Sequence, residues 1–294
     1  MTHDALWSRF VPSRGWQPRV EGVRPLAVVR GSGDLGSGVV ARLFRAGLPV
    51  VVLEREHPLA VRRAVAFSET VLRGVHRVEE MVARRVATPE EALEMLSGGE
   101  IPVLVDPEAR SVATLRPAVL VDARMLKKPG LRQRDLAPLT FGLGPGFVAG
   151  EDVHAVVETN RGHLLGRVYW QGSALDDTGI PERVLDYREE RVLRAPADGI
   201  LEALVDIGQV VETGTVLARV AGREVRAPFR GAVRGLLPSG TPVTQGLKIG
   251  DLDPRADPAY CFLISDKALA IGGGVLEAVL RFPVMRSLFL GWPR

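Results

Sequence analysis

A short stretch in the middle of the chain concentrates side chains that can exchange protons or bind anions. They are Asp152, His154, Glu158, Arg161 and His163. Two carboxylates and an imidazole that lie side by side could transfer protons, hold a metal or orient a cofactor. The arginine and the second histidine could contact a phosphate or an oxo group. We predict catalytic roles for these five residues and assign no metal ligands; the alternative for each residue alone is an exposed polar side chain on a surface hairpin.

These residues are expected on a hairpin that follows a glycine-rich loop. The stretches HAVVET and LLGRVYW alternate as strands do, and NRGH lies between them as a turn. Because successive side chains of a strand point to opposite faces, Asp152, His154 and Glu158 should share one face. The preceding loop includes Gly144 and Gly146, which would permit close approach of a ligand. We therefore expect this face to line one pocket with the glycine loop of the first domain.

A strand, a glycine-rich turn, a helix and a second strand are expected between Leu26 and Glu54. The turn has the G-x-G-x-x-G spacing of dinucleotide-binding loops, and the helix after it would direct free N–H groups towards a pyrophosphate. Glu54 stands where an acid would bind a ribose diol. Asp34 should repel a pyrophosphate unless its carboxylate is turned away or meets a metal. The predicted cofactor-binding residues are Gly31, Ser32, Gly33, Asp34, Gly36, Glu54, Gly144 and Gly146. The alternative is a scaffold whose glycines serve only packing.

An internal repeat marks a second region. RAPADGILEALVDIGQVVETGTVLARV, which begins at Arg194, aligns with RAPFRGAVRGLLPSGTPVTQGLKIGDL, which begins at Arg226. Each half reads as short strands that must pack on the twin half to bury an apolar face. This region looks like the biotinyl/lipoyl carrier fold, but the segment that joins the halves contains no lysine. We therefore expect neither biotin nor lipoate, and a role as a spacer, lid or docking surface.

The C-terminal region also has polar residues next to glycines. Three glycines at 272–274 are expected to open a helix from about Val275, either as an anion cradle or for close helix packing. Cys261 lies in an apolar run, where a buried inert thiol is expected. The apolar residues after Leu280 could dock on a neighbouring domain or subunit, which leaves homo-oligomer formation open.

Composition indicates an ordinary globular protein. The chain has 294 residues, 46% of them hydrophobic, and a formal charge of +3 without a dense basic run, so we expect no nucleic-acid partner. A single cysteine fits a reducing cytoplasm, and no apolar run approaches the roughly 18 residues of a membrane span. The predicted fold class is an α/β Rossmann-like parallel-sheet domain plus a small all-β biotinyl/lipoyl-like barrel module.

Five segments are expected along the chain. They are an N-terminal extension (1–24), a Rossmann-like nucleotide-binding domain (25–140), a glycine-rich loop and site-bearing hairpin (141–190), the biotinyl/lipoyl-like module (191–253) and a C-terminal segment with a glycine-rich helix start (254–294).

Several long motifs in order carry a family resemblance. RGSGDLGSGV with VVLE, FGLGPGFVAGEDVHAVVETNRGHLLGRV, RVLRAPADG, KIGDLDPR and ISDKALAIGGGVLEA together resemble the selenium-dependent molybdenum hydroxylase accessory proteins. The resemblance covers roughly residues 25 to 280. It implies a cytoplasmic maturation factor that handles the molybdenum cofactor or its selenium ligand and has the hydroxylase as partner.

The resemblance leaves the cofactor and the reaction open. We expect a dinucleotide, either NAD-like or a molybdopterin dinucleotide, over the first glycine loop. One alternative is an NAD-dependent oxidoreductase of a small substrate, with Glu54 on the ribose and His154 as acid/base. Another is a non-catalytic scaffold that docks the hydroxylase through its lipoyl-like module.

Overall fold

The computed structural model describes residues 8–13, 15–126, 132–177 and 183–291. Of the expected N-terminal extension, residues 1–7 and 14 therefore lie outside the described part.

A nine-stranded mixed sheet forms the larger part of the molecule, in the order β3-β4-β5-β2-β1-β6-β7-β8-β9. Neighbouring strands from β4 to β8 run parallel, whereas β3 and β9 are antiparallel to their neighbours at the two edges. The central strands are continuous apolar runs that are buried on both faces, as parallel strands covered by helices require. The strands are β1 (Arg24–Arg30), β2 (Val50–Glu54), β3 (Val75–Val78), β4 (Met81–Val86), β5 (Ile101–Val105), β6 (Pro117–Asp122), β7 (Leu139–Leu143), β8 (Ala155–Val157) and β9 (Val168–Tyr169).

Helices cover both faces of this sheet. The helices are α1 (Asp34–Arg45), α2 (Glu69–Arg73), α3 (Pro89–Met95), α4 (Val112–Leu115), α5 (Asp266–Leu280) and α6 (Pro283–Leu290). Helices α1, α5 and α6 contribute to one buried apolar cluster, while α3 and α4 contribute to a second cluster on the opposite side. Chain order alone would not place α5 beside α1, because more than 200 residues separate them in the sequence.

The glycines at 272–274 do not open a helix, because α5 begins at Asp266 and includes them. A Cβ on Gly272 would lie 2.3 Å from the carbonyl oxygen of Gly38 in α1, and one on Gly38 would lie 2.3 Å from that of Ala268. A Cβ on Gly274 would meet the carbonyl oxygen of Gly166 at 2.0 Å. These glycines therefore serve close backbone packing of α5 against α1 and against the β8–β9 hairpin, which was the alternative to an anion cradle.

Eight short strands form the second region. They are β10 (Val192–Arg194), β11 (Gly199–Ala203), β12 (Val210–Val211), β13 (Val216–Val220), β14 (Arg223–Arg226), β15 (Gly231–Leu236), β16 (Pro242–Val243) and β17 (Lys248–Asp253). They make two four-stranded antiparallel sheets, β10-β17-β15-β12 and β14-β13-β11-β16. The strands recur at the displacement of the sequence repeat, and each sheet takes strands from both halves. The two halves therefore bury a common core between them.

The predicted fold class, a Rossmann-like parallel-sheet domain with a biotinyl/lipoyl-like barrel, is wrong. The large sheet is mixed, and it also includes β7 to β9. The smaller region consists of two separate antiparallel sheets, and no strand pairing among the described residues closes them into a barrel. The antiparallel edge strand β3 escaped prediction because Glu79 and Glu80, which connect β3 and β4, give no glycine or asparagine turn signal.

No single helix within the described ranges has the length and apolar composition of a membrane span. Helices α5 and α6 meet those criteria only as a pair, and this pair is bent by 98°.

Candidate ligand-binding cleft

Two adjoining cavities lie where the carboxyl ends of the parallel strands meet. The first, which we call the glycine-loop lobe, measures about 670 Å³ and is lined by the loop after β1 and by the ends of β2 and β6. The second, which we call the basic lobe, measures about 440 Å³ and is lined by residues after β7 and β8, by β15 and β17, and by the start of α5. Asp34, Met125 and Leu126 line both cavities. The two lobes therefore form one cleft.

The three loop glycines have different structural roles. Gly31 has a φ of +86°, which a residue with a side chain rarely adopts. A Cβ on Gly36 would lie 2.1 Å from the carbonyl oxygen of Gly31, so Gly36 is needed for the close approach of α1 to the loop. Gly33 is different, because its backbone is extended and a Cβ there would meet nothing within 4 Å. Since Gly33 lines the glycine-loop lobe, its missing side chain leaves space in the cavity itself.

Glu54 does not present a free carboxylate to a ribose. Its Oε2 atom accepts hydrogen bonds from the Ser32 N–H at 2.8 Å and the Ser32 hydroxyl at 3.2 Å, and Oε1 accepts one from the Arg55 N–H at 2.9 Å. The Glu54 side chain is thus directed back at the glycine loop and fixes Ser32. The predicted diol-binding role has to be replaced by a loop-positioning role in this conformation.

Asp34 lines the glycine-loop lobe, but its charge is compensated by an arginine, which is neither of the two arrangements that the sequence left open. Its carboxylate pairs with the guanidinium of Arg62, with Nη1 and Oδ1 at 2.9 Å. The Arg62 side chain is only 6% exposed and also donates to the Leu263 carbonyl at 3.0 Å. The negative charge at the start of α1 is therefore compensated, which removes the objection to an anionic ligand at this helix end.

The basic lobe combines side chains from distant parts of the chain. Its cationic residues are Arg62, Arg161, Arg191, Arg234, Lys248 and Lys267, and its acidic residues are Asp34, Asp176, Asp177 and Asp251. Arg191 pairs with Asp251 at 3.0 Å, and Arg161 forms a bidentate pair with Asp266, at 2.7 and 2.9 Å, at the amino end of α5. The Arg161 guanidinium holds the pKa of Asp266 well below its usual range. Of the five predicted catalytic residues, only Arg161 lines the cleft.

Glu158 is fully buried and holds the chain segments around it. Its Oε1 accepts from the N–H groups of Thr159 and Asn160 at 2.8 and 2.7 Å, and Oε2 accepts from the Leu175 N–H at 2.9 Å and the Tyr169 hydroxyl at 3.3 Å. Burial and the nearby Glu158 charge raise the pKa of Tyr169, so this phenol remains a donor at neutral pH. With four donors around it and no exposure, Glu158 has a structural role in place of the predicted proton transfer.

His154 lies at the amino ends of the parallel strands, whereas the glycine loop lies at their carboxyl ends. It precedes β8, whereas the loop follows β1, and these strands point the same way within the parallel part of the sheet. Its ring packs against Trp16 with centroids 5.1 Å apart and a tilt of 30°, and Nδ1 lies 2.9 Å from the Thr140 hydroxyl and 3.2 Å from the Thr140 N–H. The expected shared pocket of Asp152, His154 and Glu158 is therefore not formed, because Ala155 to Val157 alone are strand and His154 and Glu158 flank its two ends.

Asp152 and His163 are also outside the cleft. The Asp152 carboxylate accepts a hydrogen bond from the Val148 N–H at 2.9 Å and so stabilises a turn. His163 is exposed at the tip of the hairpin. The hairpin itself is confirmed, with Val156 opposite Tyr169, although its strands are shorter than predicted.

Gly144 and Gly146 lie beside the basic lobe but serve chain packing. A Cβ on Gly146 would lie 2.1 Å from the Leu126 carbonyl oxygen, and one on Gly144 would lie 3.1 Å from the Thr159 hydroxyl. Both glycines therefore bring the loop after β7 against neighbouring chain, and Pro145 between them lines the cavity.

The buried His154 ring predicts a pH-dependent stability. Burial, with a smaller contribution from Arg134, lowers the pKa of His154 to about 4. In the unfolded chain the ring takes up a proton near pH 6.5. Between these values the unfolded chain binds more protons, so the free energy of unfolding should decrease as the pH falls from about 6.5 to 4. Because the ring is only partly buried, we expect a loss of about 2 kcal/mol, less than the full pKa difference would give.

Urea denaturation at a series of pH values would measure this effect. His154→Phe keeps a ring against Trp16 but removes the titration, so its stability should vary less over this pH interval. His163→Phe, at the exposed hairpin tip, is the matched control and should behave like the wild type. An unchanged pH profile in His154→Phe would contradict the assignment.

Sequence patterns missed most of the basic lobe. Arg62 and Arg234 match none of the motifs, Lys248 begins one that gave no hint of a pocket, and only the packing of β15 and β17 near the glycine loop brings the three together. One signal was present in the repeat: the two halves differ in charge at these positions, because Arg234 aligns with Glu202 and Lys248 aligns with Val216. At the end of β6, Asp122 and Arg124 form an ion pair with a shortest N–O distance of 2.6 Å.

Comparisons with known proteins give one close sequence relative and remote structural ones. No protein-family model matches the chain. An uncharacterized protein, YqeB of Escherichia coli (strain K12), is 47% identical over 255 residues, which are 87% of this chain and 47% of that protein. The chain thus spans about half the length of this curated relative.

The solved structures with similarity include an aspartoacylase family protein from Mesorhizobium loti, at 14% identity with a TM-score of 0.25 over 78% of this chain and 85% of the other. They also include the ectoine utilization protein EutE (DoeB) from Ruegeria pomeroyi, at 12% identity with a TM-score of 0.24 over 78% and 85% of the two chains. A succinylglutamate desuccinylase/aspartoacylase from Rhodobacter sphaeroides has 14% identity and a TM-score of 0.24 over 79% and 86%.

The names of these solved structures differ from the classes expected from the sequence. The solved structures found are aspartoacylase- and desuccinylase-type proteins, and none of the three is named for a Rossmann fold, a biotinyl/lipoyl fold or molybdenum hydroxylase maturation. Because the TM-scores are far below 0.5, we transfer no chemistry from them.

Proposed function

We propose that this protein is a cytoplasmic accessory factor that matures a selenium-dependent molybdenum hydroxylase and that it binds an elongated, phosphate-bearing ligand in the cleft. The hydroxylase part rests on the sequence resemblance alone. The ligand part rests on the geometry of the cleft. A nucleotide or molybdopterin-dinucleotide-like molecule has the length and the charges for two joined lobes.

One observation carries the ligand proposal: the glycine-loop lobe and the basic lobe share three lining residues and meet at the compensated Asp34–Arg62 pair. The first lobe offers an open backbone at Gly33 and the amino end of α1, where N–H groups attract an anion. The second lobe is lined by six cationic and four acidic side chains, so cations are in excess. A ligand with anionic groups at separated positions is the kind of molecule that both features favour together.

The cleft gives less support to an oxidoreductase of a small substrate. That alternative used Glu54 on the ribose and His154 as acid/base. The Glu54 carboxylate, however, accepts hydrogen bonds from Ser32 and Arg55, and His154 lies at the opposite ends of the parallel strands, in a different cavity. Within the cleft as described, neither residue is available for its assumed role. The docking-scaffold alternative does not depend on the cleft and is separated from the proposal by experiment.

Replacing Gly33 by valine should abolish ligand binding without unfolding the protein. A Cβ at this position meets nothing within 4 Å, and the valine side chain would project into the glycine-loop lobe where the backbone is otherwise open to a ligand. Gly98→Val is the matched control, because Gly98 is exposed, distant from the cleft and equally free of neighbours. A dinucleotide at about 100 times its dissociation constant should stabilise the wild type and Gly98→Val by roughly 2.7 kcal/mol, and Gly33→Val by nothing measurable.

Thermal denaturation with NAD, FAD and molybdopterin dinucleotide would test this prediction. If none of the three dinucleotides raises the melting temperature of the wild type, the ligand proposal is wrong. Equal stabilisation of Gly33→Val and the wild type would show that the ligand binds elsewhere.

A further inference from the structure

Arg234 is a buried cation with poor charge compensation. It projects from β15 into the basic lobe, and its side chain is 14% exposed. The nearest carboxylate is that of Asp253, whose Oδ2 lies 3.9 Å from the Arg234 Nε, beyond hydrogen-bond distance. Asp253 is already engaged by the Arg255 side chain, with donor–acceptor distances of 2.8 and 2.5 Å. The Arg234 Nε is buried and has no hydrogen-bond partner within the described part of the chain.

Burying an arginine in this way raises the free energy of the folded protein unless an anion pairs with it. Removing a guanidinium from water without a matching anion disfavours its charged form. Consistent with this, burial, and secondly the positive charge of Arg62, lower the pKa of Arg234. A mismatch of this kind beside a cavity is typical of a site whose missing negative charge comes from a ligand.

The internal repeat shows that the strands themselves do not require these cations. The position equivalent to Arg234 in the first half is Glu202, an exposed residue of β11, and the position equivalent to Lys248 is Val216. The two sheets thus have related strands, but only the sheet next to the cleft has cations at these two positions. The two cations therefore occur where the cavity lies, and the strand structure itself does not require them.

We propose that the basic lobe is a binding site for a tetrahedral oxyanion, a phosphate group, with Arg234 as its main partner and with Lys248 and the amino end of α5 beside it. Two acids of the lobe, Asp34 and Asp251, are already paired with arginines. The other two, Asp176 and Asp177, are exposed, so water screens their charge. This inference deepens the proposed function: the phosphate is the second anionic group of the ligand whose other end occupies the glycine-loop lobe.

Titration calorimetry with inorganic phosphate and pyrophosphate tests the site directly. The wild type should bind at least one of the two anions with a dissociation constant below about 10 mM. Arg234→Gln should weaken that affinity at least about tenfold, while its unliganded melting temperature stays equal or rises because an uncompensated charge is removed. Arg219→Gln is the matched control, since Arg219 is an exposed arginine on β13 of the other sheet, and it should bind as the wild type does.

Arg234→Lys provides a second variant that keeps the charge if the glutamine variant does not fold. It should fold and bind more weakly, because an ammonium group cannot make the two parallel hydrogen bonds of a guanidinium. The inference is overturned if Arg234→Gln binds phosphate as tightly as the wild type does, or if Arg234→Lys does so when only that variant folds. It is also overturned if neither anion gives binding heat or thermal stabilisation with the wild type.

The same experiments separate this site from the proposed function. Gly33→Val should keep its affinity for inorganic phosphate and lose that for dinucleotides, if the phosphate site belongs to a dinucleotide ligand. If the wild type binds phosphate but no dinucleotide, the dinucleotide proposal is refuted, and the oxyanion site is a site for a free anion. Dinucleotide binding that is unaffected in Arg234→Gln would refute only the phosphate assignment.

Discussion

Replacing Glu158 by alanine should lower the free energy of unfolding by at least about 3 kcal/mol. The change removes a fully buried carboxylate and leaves three backbone N–H groups and the Tyr169 hydroxyl without their acceptor. An unsatisfied buried polar group costs roughly 1 to 3 kcal/mol, and some of these groups can regain water when the loop relaxes. Chemical denaturation at pH 7 would measure the loss.

Two further variants make this result interpretable. Glu158→Gln keeps the shape of the side chain but places an NH2 group against two N–H donors or against the Leu175 N–H and the Tyr169 hydroxyl, so its stability should be intermediate. Glu151→Ala removes an exposed acid from the same segment and should change stability by less than about 0.5 kcal/mol. If Glu158→Ala is as stable as the wild type, the structural assignment fails and a catalytic role for Glu158 returns.

Loss of this protein from its host should leave the selenium-dependent molybdenum hydroxylase present as polypeptide but inactive. The expectation rests on the sequence resemblance and on a cleft suited to a phosphate-bearing ligand. It would be measured as hydroxylase specific activity, together with the molybdenum and selenium content of the purified enzyme, in deletion and parent strains.

Complementation distinguishes the three functional hypotheses. A maturation factor that acts through the cleft requires Gly33→Val to fail and Gly98→Val and His154→Phe to restore activity. A docking scaffold would tolerate all three variants. An oxidoreductase of a small substrate would leave the hydroxylase active in the deletion strain, and that result would end the maturation proposal.

The sequence predicted local structure better than it predicted the site. Strand, loop and helix from Leu26 to Glu54 follow from apolar periodicity and glycine spacing, and both are properties of neighbouring residues. The repeat was visible for the same reason, since a constant displacement needs no knowledge of the fold. These local patterns do not predict whether the edge strands β3 and β9 run parallel or antiparallel, because that depends on the strand with which each of them pairs.

The predicted catalytic face failed for a physical reason. Alternation places His154 and Glu158 on one side only if the strand continues through both, but the regular strand comprises just the three residues between them. Thr140 and Trp16 hold one of these side chains, and four donors hold the other. The basic lobe was largely missed because its four arginines lie in four separate parts of the chain that meet only in the folded molecule.

The backbone contact of α1 with α5 has a consequence for what the cleft can accept. The start of α1 borders the glycine-loop lobe, and the start of α5 borders the basic lobe. At Gly38 and Gly272 the two helices touch with no side chains between them, so neither helix can slide or tilt without a clash. Backbone packing thereby holds the two helix starts at a set separation, so we expect the affinity of any ligand that occupies both lobes to depend on its length.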